Sequence, residues 1–463
     1  MKMTKVLTQA LFNNVKISLA PVILCLLFFG CEPKSDQTSF DSGIKKVGHI
    51  VVIYMENHSF DNLYGKFPGA DGLSNATRDH ITQDSAGTPY KYLPAIPGSS
   101  AFPLNMPNDT FNIDQYIHPD KETPDVTHLY YEEQIQINRG QMNKYAAYND
   151  KSFGLTMGSY TTKALPLYPI AMQYTLCDNF FHSAFGGSFL NHHWLIAAAS
   201  PVYKNPKDTT MYPKRDHYGN LVGGQITRDG FVVNTSYSVN SPRPKPGPYT
   251  YTNTDQLIPN QTNPTIGDSL SAHKISWVWY SGGWNDALAG KADPSFQYHH
   301  QPFVYYKNYA DSTQAKKDHL RDEAEFLSAA KNGKLPSVSF VKPLGTYNEH
   351  PGYSTVKAGE DHAVELINAV LNGPNGKDAV IILTYDENGG FWDHVAPPKL
   401  DPKWGPGTRV PAIIIGPFAK KGFVDHTQYE TLSILTFIEK RWGLKPLNKE
   451  DQRAKPLTNA FNF

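Results

Sequence analysis

The sequence predicts an α/β protein built on a doubly wound, mostly parallel sheet flanked by helices. Three observations point there. Five runs, Val47–Tyr54, Ile275–Tyr280, Ser337–Val341, Ala379–Tyr385 and Arg409–Ile415, are nearly continuous in apolar, often β-branched residues. That is the pattern of strands buried on both faces. Helix-like stretches separate them, and buried strands alternating with helices make parallel sheets. The 463 residues are 40% hydrophobic and 13% aromatic, enough for a large core, which excludes a disordered chain.

Taken in order, Lys2, Lys5 and Lys16 precede an apolar run, Ile17–Gly30, that is short for a membrane span. Residues 1–30 therefore read as a secretory signal. Gly30 before Cys31, with Glu32-Pro33-Lys34-Ser35 after it, is similar to a bacterial lipoprotein signal. Cys31 is then the lipid anchor of an exported, membrane-held protein, and 31–46 its polar tether; ordinary cleavage or an uncleaved anchor is the alternative. Residues 47–463 form the folded domain. Ala164–Tyr174 and Asn191–Ala199 read as apolar helices, and Asp361–Leu371 and Tyr429–Trp442 as amphipathic ones. The segment from about 201 to 265 is rich in Pro, Asn, Thr, Tyr and Gly. With Asp229-Gly230 before Phe231-Val232-Val233 it has hairpin character and reads as an inserted cap. Forty-three basic residues balance 43 acidic ones, so no global field supports a nucleic-acid scaffold role. Three cysteines exclude a disulfide framework, and Cys177 reads as a core filler.

Ligands of open parallel sheets bind beyond the carboxyl ends of the strands. Glu56-Asn57-His58 follows the strand ending at Tyr54, and Asp386-Glu387-Asn388-Gly389-Gly390 follows the one ending at Tyr385. His350 follows Val341 after a short loop. Unpaired carboxylates at the ends of apolar strands are costly, and one divalent cation relieves both desolvation and repulsion. Such oxygen donors suit Mg²⁺, Ca²⁺ or Mn²⁺, and Zn²⁺ also accepts carboxylates. Singly, each acidic cluster reads as a cap or turn; together they read as a site. His299-His300 is a pair that a turn can present to an oxyanion. In Phe185-Gly186-Gly187-Ser188 the glycines permit a tight turn and close approach. Ser188 then opens a helix, near unpaired backbone N–H groups. It is a candidate nucleophile, with a plain capping residue as the alternative. Leu190 stands where an α/β-hydrolase elbow needs glycine, which excludes that motif.

Longer motifs carry a resemblance. Met55-Glu56-Asn57-His58-Ser59-Phe60-Asp61-Asn62-Leu63-Tyr64-Gly65, Thr384-Tyr385-Asp386-Glu387-Asn388-Gly389-Gly390-Phe391-Trp392-Asp393-His394 and Arg409-Val410-Pro411 resemble the phosphoesterase family of bacterial acid phosphatases and phospholipases C. That family belongs to the alkaline-phosphatase-like superfamily. Asp178-Asn179-Phe180-Phe181, the stretch around His299-His300 and His350-Pro351-Gly352 are most similar to its acid-phosphatase branch. The resemblance implies one divalent metal ion on Glu56, Asn57, Ser188, Asp386 and Glu387. It implies Ser188 as the nucleophile of a phosphoserine intermediate, and His128, His299, His300 and His350 on the phosphate. His350 or His128 then serves as the general acid.

The activity so implied is a broad acid phosphatase acting on small phosphomonoesters. A phospholipase C acting on phospholipid headgroups is the alternative, and a non-enzymatic surface lipoprotein is a remote one. His58, Asp61, Asp393 and His394 either orient ligands or support loops. His192 and His193 read as packing residues, with an edge of the pocket as the alternative, and His426 as a loop residue.

Overall fold

The computed structural model describes residues 40–77, 82–97 and 99–463. The expected signal, the expected anchor Cys31 and most of the expected tether lie outside them. Residues 40–46, also within the expected tether, dock on the core instead. Phe40 is buried against Phe437, Phe461 and Phe463, and Ile44 is buried beside it.

Eight strands make the central sheet: β1 (His49–Met55), β2 (Thr175–Cys177), β3 (Trp277–Ser281), β4 (Leu320–Asp322), β5 (Val338–Lys342), β6 (Ala379–Tyr385), β7 (Ala412–Ile415) and β8 (Phe423–Asp425). Their order is β8-β2-β7-β6-β1-β5-β3-β4. From β6 to β4 all pairs are parallel. Every residue of β6 is buried, as a strand covered on both faces requires.

The doubly wound, mostly parallel sheet is as expected, with one correction. The run Arg409–Ile415 yields a strand only from Ala412, and that strand is antiparallel to both β6 and β2. Pro411 has no N–H for the ladder, and the Arg409 side chain is committed elsewhere, as described below.

Five helices matter to the site or its support: α1 (Phe60–Tyr64), α2 (Ser188–Ala197), α3 (Glu323–Lys331), α4 (Val356–Leu371) and α5 (Leu432–Trp442). In α4, Ala363, Leu366, Ile367 and Val370 are buried at helical spacing, and Thr355 caps the first turn by accepting from Ala358 N. α5 ends at Gly443, whose φ is 66°. All ten residues of α2 are buried, so this helix is set inside the protein and packs on α5. The expected helix Ala164–Tyr174 forms only over Tyr168–Gln173, with Pro169 in its first turn. In the 201–265 segment, Lys214–Arg215 pairs with Leu221–Val222. Asp229-Gly230 makes a turn in which Thr227 N bonds Phe231 O. Among the described residues no helix is long and apolar enough to cross a membrane.

Candidate active site

Register places the two acidic motifs side by side. Met55 pairs with Tyr385, so Glu56 and Asp386 leave adjacent strands together. Asp386 N still bonds Met55 O at 3.2 Å. Glu56, Asn57, Asp386 and Glu387 are all fully buried or nearly so.

Ser188 meets them from the first turn of α2. Its Oγ donates to Glu56 Oε2 at 3.1 Å, with Asn57 Oδ1 at 3.4 Å. The preceding loop is pinned from several sides. Asn191 Nδ2 reaches the carbonyls of Ala184, Gly186 and Gly187. Glu133 accepts from Gly186 N and from His182 Nε2 at 2.9 Å. Both glycines are needed. Gly186 has φ +90°, and a Cβ on Gly187 would lie 2.7 Å from His128 O. That close approach carries His128 to the serine.

The histidines divide into two sets. His299 and His300 sit in one 3₁₀ turn, Tyr298–His300, with ring centroids 4.6 Å apart and planes at 73°. The turn presents both, but in different directions. His299 lines a cavity of about 210 Å³, together with Ser188, His128 and His350. His300, expected beside it on the phosphate, does not line that cavity; its Nε2 is 2.8 Å from Glu56 Oε1. His128 Nε2 is 3.8 Å from Glu387 Oε1 and 3.3 Å from Asn57 Nδ2, and His350 Nε2 is 3.9 Å from Glu56 Oε2. His128 Nδ1 and His350 Nδ1 each meet a carbonyl at 2.6 Å, Val126 O and Pro351 O. A carbonyl only accepts, so each Nδ1 carries the proton and each Nε2 is the working atom.

Electrostatics separate the carboxylates. Burial opposes ionisation of Glu56, but His300 and Lys342 outweigh it and hold its pKa well below the usual range. Burial, then the Glu56 charge, pushes Asp386 well up. Burial, then Asp386, does the same to Glu387. Burial pushes His128 down to about 4. Asp386 Oδ2 and Glu387 Oε1 are buried and accept no hydrogen bond. Orphaned carboxyl oxygens in a set of hard donors fit a divalent cation, which would also favour their ionised form. The ligand atoms of Glu56, His192 and His300 also lie within 4.8 Å of one another.

Lys342 escaped the sequence reading, and His192 has a closer tie to the site than the packing role expected of it. Lys342, the last residue of β5, places Nζ 2.5 Å from Glu56 Oε1. Its signal was a lone charge at the end of an apolar run, the same signal that marked Asp386. His192 lies four residues after Ser188, one helical turn on; its Nδ1 is 2.7 Å from Ser188 O and 3.7 Å from Asp386 Oδ2. His193 packs among Phe189, Tyr305 and Tyr306, as expected.

Asp61, Asp393 and His394 form a separate cluster that supports the loops. Arg409 binds Asp61 and Asp393 at 3.2 Å and the carbonyls of Asp71 and Asp178 at 2.7 Å. Its guanidinium lies over the Phe60 ring. A buried arginine with its donors so engaged locks the loop after β1 to the loop after β6. His426, on the surface beside them, pairs with Asp178.

A mostly parallel sheet gathers a serine, carboxylates and histidines at its carboxyl edge, and the family match and curated relatives make the chain a phosphoric ester hydrolase. The chain belongs to the Phosphoesterase family, whose model matches residues 47–445. It is 24% identical to phospholipase C B of Mycobacterium tuberculosis, over 90% of this chain and 78% of that one. It is 24% identical to a non-hemolytic phospholipase C of Pseudomonas aeruginosa, over 91% of this chain and 58% of that one. Among solved structures, a protein in the alkaline phosphatase superfamily from Vibrio parahaemolyticus overlaps 73% of this chain and 76% of its own, with a TM-score of 0.34 and 11% identity.

Proposed function

We propose that the protein is a metal-dependent phosphomonoesterase of broad specificity that acts through a phosphoserine on Ser188. The observation that carries the reading is the junction of Ser188 Oγ, which lines the cavity, with Glu56 and Asn57. Glu56, Asn57, Asp386, Glu387 and Ser188 would hold one divalent cation, whose chemistry is to lower the hydroxyl's pKa and offset phosphoryl charge. His299 and the first-turn amides of α2 bind the equatorial oxygens. Ser188 Oγ passes its proton to Glu56 Oε2 and attacks phosphorus, the bond to the leaving oxygen breaks, and His350, entering as the imidazolium, gives its Nε2 proton to that oxygen; the proton on Glu56 returns to Ser188 Oγ when the intermediate is hydrolysed. His128, which burial keeps neutral, then takes a proton from the water that frees Ser188.

Cavity size and lining favour a small monoester. About 210 Å³ faced by Asp125, Lys151, Gln297 and the histidines suits a phosphate with a short polar alcohol, not a diacylglycerol. Asn234 and Thr235 reach the cavity from the 201–265 segment, which supports its role as a cap of the domain. A phospholipase C is the second reading, favoured by the relatives named above. Export and lipidation at Cys31 complete the proposal; Cys31→Ser should abolish detergent partitioning.

The test compares p-nitrophenyl phosphate with phosphatidylcholine, before and after EDTA. Rapid turnover of the first alone, lost on chelation and restored by a divalent cation, is expected. Preferred turnover of the phospholipid would replace the reading with the second, and chelator-resistant activity would remove the metal.

A further inference from the structure

The ligand set contains a cation of its own. Lys342 is fully buried. Its Nζ is 2.5 Å from Glu56 Oε1, 3.2 Å from Met55 O and 3.9 Å from Asp386 Oδ2. It does not line the cavity, so it stands behind the carboxylates and out of reach of a substrate. A buried ammonium is costly unless paired, and the apolar strand that carries it, Val338–Val341, offers no partner of its own. Glu56, Asp386 and Glu387 bring three negative charges when ionised. Lys342 leaves two, the charge of a single divalent ion.

Glu56 shows what the lysine does locally. Lys342 and His300 both hold Oε1, which leaves Oε2 turned to Ser188. Remove the ammonium and Glu56 and Asp386 share a buried space with one positive neighbour fewer, an opening that a second metal ion would satisfy.

We propose that Lys342 is a positioning residue that serves as a built-in second cation: it aims Glu56 at Ser188 and limits the centre to one divalent ion. The proposal rests on the metal-centre reading above. The test is calorimetric titration of the EDTA-stripped full chain with Mg²⁺, Ca²⁺, Mn²⁺ and Zn²⁺ in turn, without substrate. Wild type should bind one ion per chain. Lys342→Met should bind a second ion, or bind the first about tenfold tighter, because a repelling charge is gone. Its kcat on p-nitrophenyl phosphate should fall ~100-fold with KM nearly unchanged, since Glu56 is misaimed. Lys342→Arg keeps the charge and should keep the single-ion stoichiometry.

Two ions in wild type, or metal affinity in Lys342→Met that is unchanged or weaker, would overturn the proposal. If the methionine variant does not fold, the stoichiometries of wild type and Lys342→Arg decide, and two ions in either count against it. Wild type that binds none of the four ions would sink the metal-centre reading and this inference with it. Two ions in wild type would leave that reading standing and remove only the role of Lys342.

Discussion

Ser188 Oγ and Glu56 Oε2 lie 3.1 Å apart although 132 positions separate the two residues in the chain. The hydroxyl at the mouth of α2 is held by a carboxylate whose other oxygen is already anchored. Ser188→Ala should lower turnover of p-nitrophenyl phosphate by more than ~10⁴-fold, as loss of a nucleophile does. Acid quenching of wild type during turnover should leave one phosphoryl group on the Ser188 peptide, read by mass spectrometry. A variant that still turns over, or a phosphoryl group on another residue, would unseat Ser188.

In the proposed mechanism His128 and His350 divide the proton traffic, and leaving-group dependence should separate them. His350→Gln should slow alkyl phosphates by ~10²–10⁴-fold and p-nitrophenyl phosphate far less, because nitrophenolate leaves without a proton. His128→Gln should slow both substrates alike and let the phosphorylated enzyme accumulate. Equal sensitivity of the His350 variant to both substrates would reassign its role.

The glycine before the nucleophile is a steric requirement. A Cβ at 187 would stand 2.7 Å from His128 O and 3.1 Å from His128 Cδ2. Gly187→Ala should push Ser188 and His128 apart and cost on the order of 10²-fold in kcat. Wild-type rates in this variant would show that the turn has slack.

His394 makes part of the stability depend on pH. Burial alone would lower its pKa, but the bonded Asp61, then Asp393, push it up to about 9. An unfolded histidine titrates near ~6.5. The folded pKa is the higher one, so its contribution is complete below the unfolded value and is lost as pH rises through about 9. The Tm gap between wild type and His394→Gln should therefore narrow from ~pH 6 to ~pH 10. A gap that widens over that range would mean the imidazole is not held as a cation.

Much of this was legible in the sequence, for identifiable reasons. β6 was read to the residue and β1 to within two, because both are apolar at nearly every position and central in the sheet. Glu56, Asn57, Asp386 and Ser188 stood out because their motifs follow such strands or precede a helix. β2, β4 and β8 were missed; at three residues each, they have no periodicity to read. The direction of β7 was hidden because apolar runs look alike either way along a ladder. Lys342 was passed over because a lysine at a strand end ordinarily reaches water; here β1 and the acidic loops close over it. The different directions taken by His299 and His300 depend on a turn whose shape no spacing reveals.

Asp61 N binds the Asp393 carboxylate across 332 positions, and Arg409 closes the same clasp. A chain emerging from the ribosome carries Glu56 330 residues ahead of Asp386. A chain that stops before residue 386 lacks half of the acidic set, and one that stops before 409 lacks the arginine that ties the loop after β1 to the loop after β6.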